Sequence, residues 1–470
     1  MRRDLEIILA YPGDDWLSPR GLPDGTHLYD VAIIGAGQGG LATAFALRRE
    51  RVTNIVVLDQ MPRGQEGPWV TYSKMWTLRS PKHVTGPDLG IPSLAPRTWF
   101  EAMFGEEQWE AMGKWPRTTW QAYLDWYRDV VDIPVRNETR VDDIGPQHGV
   151  LRLVMTTPNG TESLFCRKVI LATGIEGLGA WWLPPFVREN IPADRWTMCT
   201  DDVDSRDFAG RRIAVLGAGA TAWDRSADLL ENGADAVTMY MRRKQILQIN
   251  GFRYLEKAGY LRHYASMDDA SKWRWMTVVF RFGQPPTQDG VNRCGHFPNF
   301  MLHPGASWAD ARMIDGAVEI TATDNSVERF DHLFIGSGFV IDPNLRPELA
   351  RFADNIALWR DRYVPPPERA DDTLGTYPYL NPDLSFVERE KGRTPGLESI
   401  YCFNYGATVS NAHSGASVTG MKYGIGPMIH GITKALWEEE EAAHFAALDA
   451  WSEIDTDASP VLQRLWKPPA

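Results

Sequence analysis

The stretch 211–224, RRIAVLGAGATAWD, decides the fold: an apolar run at 213–216 breaks into Gly217 and Gly219 and then into residues of helical character. The same order already stands at 29–49, YDVAIIGAGQGGLATAFALRR. There 31–34 is the apolar run, Gly35, Gly37 and Gly40 follow, and LATAFALRRE carries helical periodicity. In such a turn the first glycine permits the tight exit from the strand, the second lets a pyrophosphate approach the backbone, and the third allows close helix packing. The free amides of the helix N-terminus then face the phosphate charge. Ala222 takes the third place in the second copy, and alanine still packs closely.

The two copies part company at their second strands. NIVVLDQ ends at Asp59, about twenty residues beyond the glycines, where a carboxylate accepts hydrogen bonds from a ribose diol. AVTMYMRRK ends instead in Arg242, Arg243 and Lys244. An acid there would repel a 2′-phosphate, whereas guanidinium groups grip one bidentately. The first cradle reads as a site for a dinucleotide with a free ribose and the second as one for NADPH. Hydride transfer from NADPH to FAD is the simplest chemistry that uses both.

At 470 residues the chain has room for about three average domains and ample apolar material for large cores. The net charge of -12, with no stripe of Lys and Arg, argues against nucleic acid as a partner. The only apolar run near the start, 7–10, is broken by Pro12 and Asp14, too short for a signal peptide, and no run approaches membrane-spanning length. The expected location is the cytoplasm. Cys166, Cys199, Cys294 and Cys402 lie far apart without a CxxC pair, so neither a metal centre nor a disulfide reductase is expected. Most of the 19 Trp must be core or interface, with some lining a flat aromatic pocket.

Along the chain, 1–28 is rich in Pro and Gly and reads as an irregular extension. TTWQAYLDWYRDVV puts Trp120, Tyr123, Leu124 and Tyr127 on one helical face. GVLRLVMTT and SLFCRKVILATG read as strands, and strands return at VEIT, HLFIGSG and IYCFNYG. YLEKAGYLRHYA, KWRWMTVVFRF and about 426–447 read as helices. This alternation predicts an α/β protein with parallel sheets and two nucleotide-binding cores.

Taken together, GAGQGG with Asp59, GPW at 67–69, LRSPKH at 78–83, ILATG at 170–174, GAGATAWD with its arginine pair, and HLFIGSGF at 332–339 resemble the flavin-containing monooxygenase superfamily. That group, the class B flavoprotein monooxygenases, spans flavin-containing monooxygenases, Baeyer–Villiger monooxygenases and N-hydroxylating monooxygenases. The resemblance runs from about Tyr29 to YCFNYGATVSNAHSG. It implies two Rossmann-like domains, the NADPH domain (176–335) inserted into an FAD domain made of 29–175 and 336–470. It also places Trp69 and Thr173 at the FAD, and Arg79, Lys82 and His83 near the reactive flavin edge as candidates for setting its proton balance.

The reaction so implied is transfer of one oxygen atom from a flavin hydroperoxide, with molecular oxygen and a small molecule as partners. Flavin-containing and Baeyer–Villiger enzymes usually carry a histidine fingerprint before the second glycine turn. Here the stretch reads RWTMCTDDVDSRDFAGRR, with Thr197, Thr200 and Asp201 in that neighbourhood, and the Baeyer–Villiger YPGxRxD segment is also missing. N-oxygenation of a small polar amine or amino acid is the favoured expectation, with Baeyer–Villiger or S-oxygenation second. A non-oxygenating redox sensor or an NADPH oxidase is the alternative of another class. The aromatic segment 245–304 is expected to face substrate, with Arg253, Arg262, His263, Arg274 and Arg281 as possible holders of an anion, and 365–399 is expected to supply a lid.

Overall fold

The computed structural model describes residues 2–10, 15–175, 177–412, 415, 417–462, 464 and 466. His413 and Ser414 of the C-terminal motif lie outside the described residues. In the first half of the chain, β1 (Leu28–Ile34), β2 (Ile55–Leu58), β3 (Val135–Arg136), β4 (Arg140–Gln147), β5 (Val150–Thr157) and β6 (Gly160–Leu171) form one sheet in the order β3-β2-β1-β6-β5-β4. The strands β1, β2, β3 and β6 pair in parallel, whereas β4, β5 and β6 form an antiparallel meander.

Short β7 (Gly179–Trp181) leads out of this sheet. The chain then builds a parallel sheet from β8 (Trp196–Met198), β9 (Arg212–Leu216), β10 (Ala236–Met241) and β11 (Phe300–Pro304). An antiparallel meander, β12 (Trp308–Ile314), β13 (Ala317–Ala322) and β14 (Val327–Phe330), precedes β15 (His332–Ile335), which enters the second sheet between β9 and β8. The return is β16 (Phe339–Ile341), antiparallel to β7, and β17 (Ile400–Cys402) then rejoins the first sheet beside β6. The fold is thus α/β with two dinucleotide-binding sheets, the second inserted into the first, and the two crossings run side by side as one ribbon.

The strands that are apolar throughout are the ones covered on both faces, as parallel sheets require. Val31, Ala32 and Ile33 of β1 and Ile213, Ala214 and Val215 of β9 are fully buried. The Gln38–Arg49 helix buries every residue from Gly40 to Leu47 and packs against the long Met421–Asp449 helix. A buried charge network closes that corner: Arg167 on β6 reaches Asp30 at 2.9 Å, Glu440 at 3.2 Å and Glu439 at 2.7 Å.

Two local expectations are corrected. The extension 1–28 is not wholly irregular, because Arg2–Leu9 is a helix that buries Leu5; its glycines and prolines begin only at Pro12. YLEKAGYLRHYA is not one helix but two short ones, Gly251–Tyr254 and Ala258–His263, separated where Lys257 takes an extended conformation. The segment 245–304, expected to face substrate, also sends side chains into the main core. Tyr264, Trp273 and Met276 enter the same core as β1, Trp273 donates to the Arg369 carbonyl at 2.8 Å, and Tyr264 donates to the Val409 carbonyl at 2.8 Å.

Candidate active site

Both glycine turns have the shape of a phosphate cradle. At the first, Gly35 sits at φ +103°, and a Cβ there would meet the Ala172 carbonyl oxygen at 2.5 Å. A Cβ on Gly40 would meet the Gly35 carbonyl oxygen at 1.8 Å, while one on Gly37 would meet nothing within 4 Å. The open position is the middle glycine, where a pyrophosphate must approach the backbone. Gly37 caps its helix without a side-chain bond, which leaves the first amides free for an anion. The second turn repeats this: a Cβ on Gly217, at φ +98°, would meet the Gly336 carbonyl oxygen at 2.2 Å, and one on Gly219 would meet nothing. Ala222 fills the third place tightly, its Cβ 2.8 Å from where a Cβ on Gly336 would stand.

Around the first cradle, Asp59 accepts from the Ala36 amide at 2.7 Å and the Met61 amide at 2.8 Å, so it braces the turn as well as facing it. Burial pushes its carboxyl up, and the two amides oppose that shift. Thr173 donates to the Gly177 carbonyl, and Asn404, beyond β17, donates to both Thr173 Oγ1 and the Gly177 carbonyl at 3.2 Å. Asn404 is a residue that sequence reasoning missed; its signal was a buried polar side chain directly after the returning strand. Trp69 lies edge-on to Trp120 at 6.5 Å, and the Trp120 indole donates to Gln38 inside the glycine turn. That contact ties the GPW segment to the cradle.

At the second cradle Arg242 and Arg243 follow β10 as exposed side chains, and neither has an ion pair among the described residues. The Gly305 amide donates to the Arg243 carbonyl at 3.0 Å and fixes the backbone beneath them.

The three near-flavin candidates are not brought together. Lys82 donates to the Trp109 carbonyl at 3.0 Å and lies over the Trp109 ring, and exposed His83 meets that ring edge-on. Arg79 instead turns toward the second domain, where its charge is felt by Asp224 on the Ala220–Glu231 helix. Asp224 is 5% exposed, and burial pushes its carboxyl up to about 6 despite Arg293 and Arg79. Arg293 grips Glu231 at 2.7 Å, donates to the Lys74 carbonyl at 2.9 Å and lies over the Trp76 ring. The loop after Trp69 is thereby fastened to the second sheet's helices.

Aromatic rings, half-buried except for the buried Tyr377, line the junction at the β7–β16 ribbon. Tyr72, Trp181, Phe339, Tyr405, Tyr377 and Phe280 follow one another at centroid distances of 6.5, 5.5, 4.9, 6.2 and 5.7 Å. Burial and the neighbouring Tyr405 hydroxyl both push the Tyr377 phenol up. Arg253, Arg262, His263, Arg274 and Arg281 are all exposed. All four cysteines are free and buried, and no group of His, Cys, Asp and Glu among the described residues could hold a metal. Among the described residues no helix is long and apolar enough to cross a membrane.

Residues 32–254 match the model of the pyridine nucleotide-disulphide oxidoreductase family, the part of the chain that holds both glycine turns. The FAD-dependent urate hydroxylase of Xanthomonas campestris pv. campestris is 40% identical over 447 residues, covering 94% of this chain and 93% of that protein. Among solved structures, the ornithine hydroxylase of Pseudomonas aeruginosa aligns with a TM-score of 0.68 at 15% identity, over 87% of this chain and 100% of that one. The ornithine N-hydroxylase of Kutzneria sp. 744 aligns with a TM-score of 0.67 at 15% identity, over 87% and 99%. These distant likenesses establish the fold, and the near full-length relative establishes kinship. Two glycine cradles on one chain and that near full-length kinship give one answer: the chain belongs to the family of FAD-dependent hydroxylases.

Proposed function

We propose that this protein is an FAD- and NADPH-dependent monooxygenase that hydroxylates a planar oxopurine of the urate class. The observation that carries the substrate class is the file of rings from Tyr72 to Phe280 at the junction, an aromatic lining suited to a flat heterocycle. The 40% identical urate hydroxylase supports the same choice. N-oxygenation of an amino acid would call for a buried clamp on its carboxylate, and the five basic residues expected to supply one are exposed.

In this reading the FAD half comprises 29–175 and 336–470 and the NADPH half 176–335. The Gly37 turn and its helix amides hold the FAD pyrophosphate, and each Asp59 oxygen keeps a lone pair for the ribose diol. The Gly219 turn holds the NADPH pyrophosphate, with Arg242 and Arg243 on the 2′-phosphate. When bound, NADPH supplies reducing equivalents and reduced FAD activates molecular oxygen. Trp69, Trp181 and Phe339 exclude water from the junction, and Arg79 supplies the positive charge there. Four free, buried cysteines suit a reducing compartment such as the cytoplasm.

The test is purified, FAD-loaded enzyme with NADPH and labelled oxygen against a panel of urate, xanthine, ornithine, lysine, a ketone and a sulfide. The reading requires urate to accelerate NADPH consumption and to take up the label. It fails if an amine takes up label while urate does not, or if every compound gives only peroxide.

A further inference from the structure

Arg293 is a buried cation that holds both halves of the molecule at once. It stands on the Gln288–Gly295 helix at 6% exposure. Its Nε and Nη2 donate to the two Glu231 carboxylate oxygens at 2.8 and 2.7 Å, a bidentate pair within the second half. Its Nη1 donates the other way, to the Lys74 carbonyl at 2.9 Å, and the guanidinium lies 4.7 Å over the Trp76 ring. Lys74 adds a longer ion pair across the same line, to Asp202 at 3.9 Å.

Both ends of this grip are stiff. Glu231 is the last residue of the Ala220–Glu231 helix, whose first turn is the second cradle. Its 12 residues make a rod of about 18 Å, so cradle and grip move together. The Gln288–Gly295 helix sits close on that rod, since a Cβ on Gly290 would stand 3.0 Å from Asp224 Oδ1 and 3.5 Å from Trp223 Cβ. On the other side, the loop from GPW to Leu78 is braced on the first half. The Ser73 amide donates to the Pro68 carbonyl at 3.1 Å, the Arg117 amide to the Trp76 carbonyl at 3.1 Å and the Leu78 amide to the Trp115 carbonyl at 2.8 Å. The Arg117 guanidinium donates to the Trp69 carbonyl, and Trp69 packs on Trp120, whose indole donates to Gln38 in the first glycine turn at 3.2 Å. A continuous path of bonded and packed groups therefore joins the first cradle, through Trp69 and the Lys74 loop, to Arg293, Glu231 and the second cradle.

The geometry points to Arg293 as a positioning residue for hydride transfer, one that sets the separation of the two cradles and so of the donor and acceptor they hold. This role rests on the proposed pairing of FAD with the first cradle and NADPH with the second. In that step the C–H bond of the reduced nicotinamide breaks, its hydrogen and both electrons pass to the flavin, and a proton from solvent completes the reduced flavin. Such a transfer needs the reacting atoms within about 3–3.5 Å, and a displacement of about 1 Å costs on the order of 100-fold in rate. Binding of either cofactor needs only its own cradle, so loss of the grip should separate rate from affinity.

The experiment compares FAD-loaded wild type with R293M, which keeps an apolar stem under Trp76 and removes every donor, and with R293K. Glu231, with its side chain 27% exposed, is solvated when its partner is lost, so the fold should survive. Four quantities are measured: the anaerobic rate of flavin reduction at saturating NADPH, the Kd of NADP⁺ by flavin difference absorbance, the rate of deazaflavin photoreduction, which bypasses the second cradle, and hydrogen exchange of residues 69–78 without coenzyme. R293M should slow reduction by NADPH roughly 10- to 100-fold. Its Kd should stay within about threefold and its photoreduction should be unchanged, while 69–78 should exchange faster because their outer anchor is gone. R293K, a point charge that reaches one partner at a time, should fall between.

Reduction by NADPH within about threefold of wild type in R293M overturns the role, whatever its melting temperature; so does an equal loss in photoreduction, which would mark general damage to the flavin site. If R293M does not retain FAD, R293K decides by the same criteria. A wild-type flavin that NADPH does not reduce would refute the proposed function instead, and unchanged exchange of 69–78 in R293M would then still overturn the grip.

Discussion

Replacing Arg242 and Arg243 together with alanine separates coenzyme recognition from everything else in the second cradle. Both side chains are exposed, and neither has a carboxylate partner to lose, so the fold should tolerate the change. A charge-assisted contact to a phosphate contributes about 1.5–3 kcal/mol. Because these guanidinium groups stand in solvent, where salt screens them over about 8 Å at physiological ionic strength, each contact is discounted to about half of that, roughly 0.75–1.5 kcal/mol. The pair should therefore contribute about 1.5–3 kcal/mol, or roughly 10- to 100-fold in affinity. The assay is steady-state NADPH and NADH oxidation at two ionic strengths. The KM for NADPH should rise by that factor with kcat little changed, the KM for NADH should move less than threefold, and the NADPH penalty should shrink in high salt. Equal losses for the two coenzymes, or no loss for either, would refute the assignment of the arginines to the 2′-phosphate.

The glycine turns and the buried histidine give further outcomes. Gly37→Ala and Gly219→Ala add a methyl where the protein has open space, so melting of the unloaded protein should change little. FAD retention should fall for the first and the NADPH KM should rise for the second, as cofactor content and kinetics would show. Gly40→Ala meets backbone at 1.8 Å and should lower the melting temperature or abolish soluble expression. His332 is held down at about 4 chiefly by burial, so the unfolded chain binds the extra proton between about 6.5 and 4. Its stabilisation is present above pH 6.5 and is lost progressively as pH falls, by about 3 kcal/mol at most, and urea titrations from pH 7 to 4.5 should show a shallower slope in H332N.

The parts of this fold that were legible are those where local chemistry leaves little choice. A glycine at φ above +90° with a carbonyl 2.2–2.5 Å from its missing Cβ can be little else, and the two turns at Gly35 and Gly217 fixed both cradles. The Arg117–Val130 helix was legible because Trp120, Tyr123, Leu124 and Tyr127 repeat at helical spacing and are all buried. What stayed hidden depends on long-range partners. The strand β11 hides in the aromatic stretch before Pro304 because its place at the sheet edge is granted by β10 alone. Lys82 and His83 stand beside Arg79 in sequence, yet Trp109 collects them on another face. Asn404 needed the partners Thr173 and Gly177, more than two hundred residues away, before its role could be seen.

The missing fingerprint histidine has a structural counterpart in two residues that the motif would not suggest. Thr197 lies on β8, and its hydroxyl meets Nε2 of His332 on the adjacent parallel strand β15 at 2.8 Å. The imidazole thus comes from the neighbouring strand and is packed against Phe208 and Phe334. Beyond β8 the loop through Asp201 turns back under the guanidinium of fully buried Arg225, which donates to the Cys199, Asp201 and Val203 carbonyls and lies over the Phe334 ring. Three carbonyls held by one rigid, always-charged fork restrain a loop more firmly than a single imidazole bond would. Arg225 stands on the Ala220–Glu231 helix, whose N-terminus forms the second cradle, so the loop it holds is anchored to that helix. The second cradle is thus intact without the fingerprint histidine, and the loop before it is held from the helix that follows it.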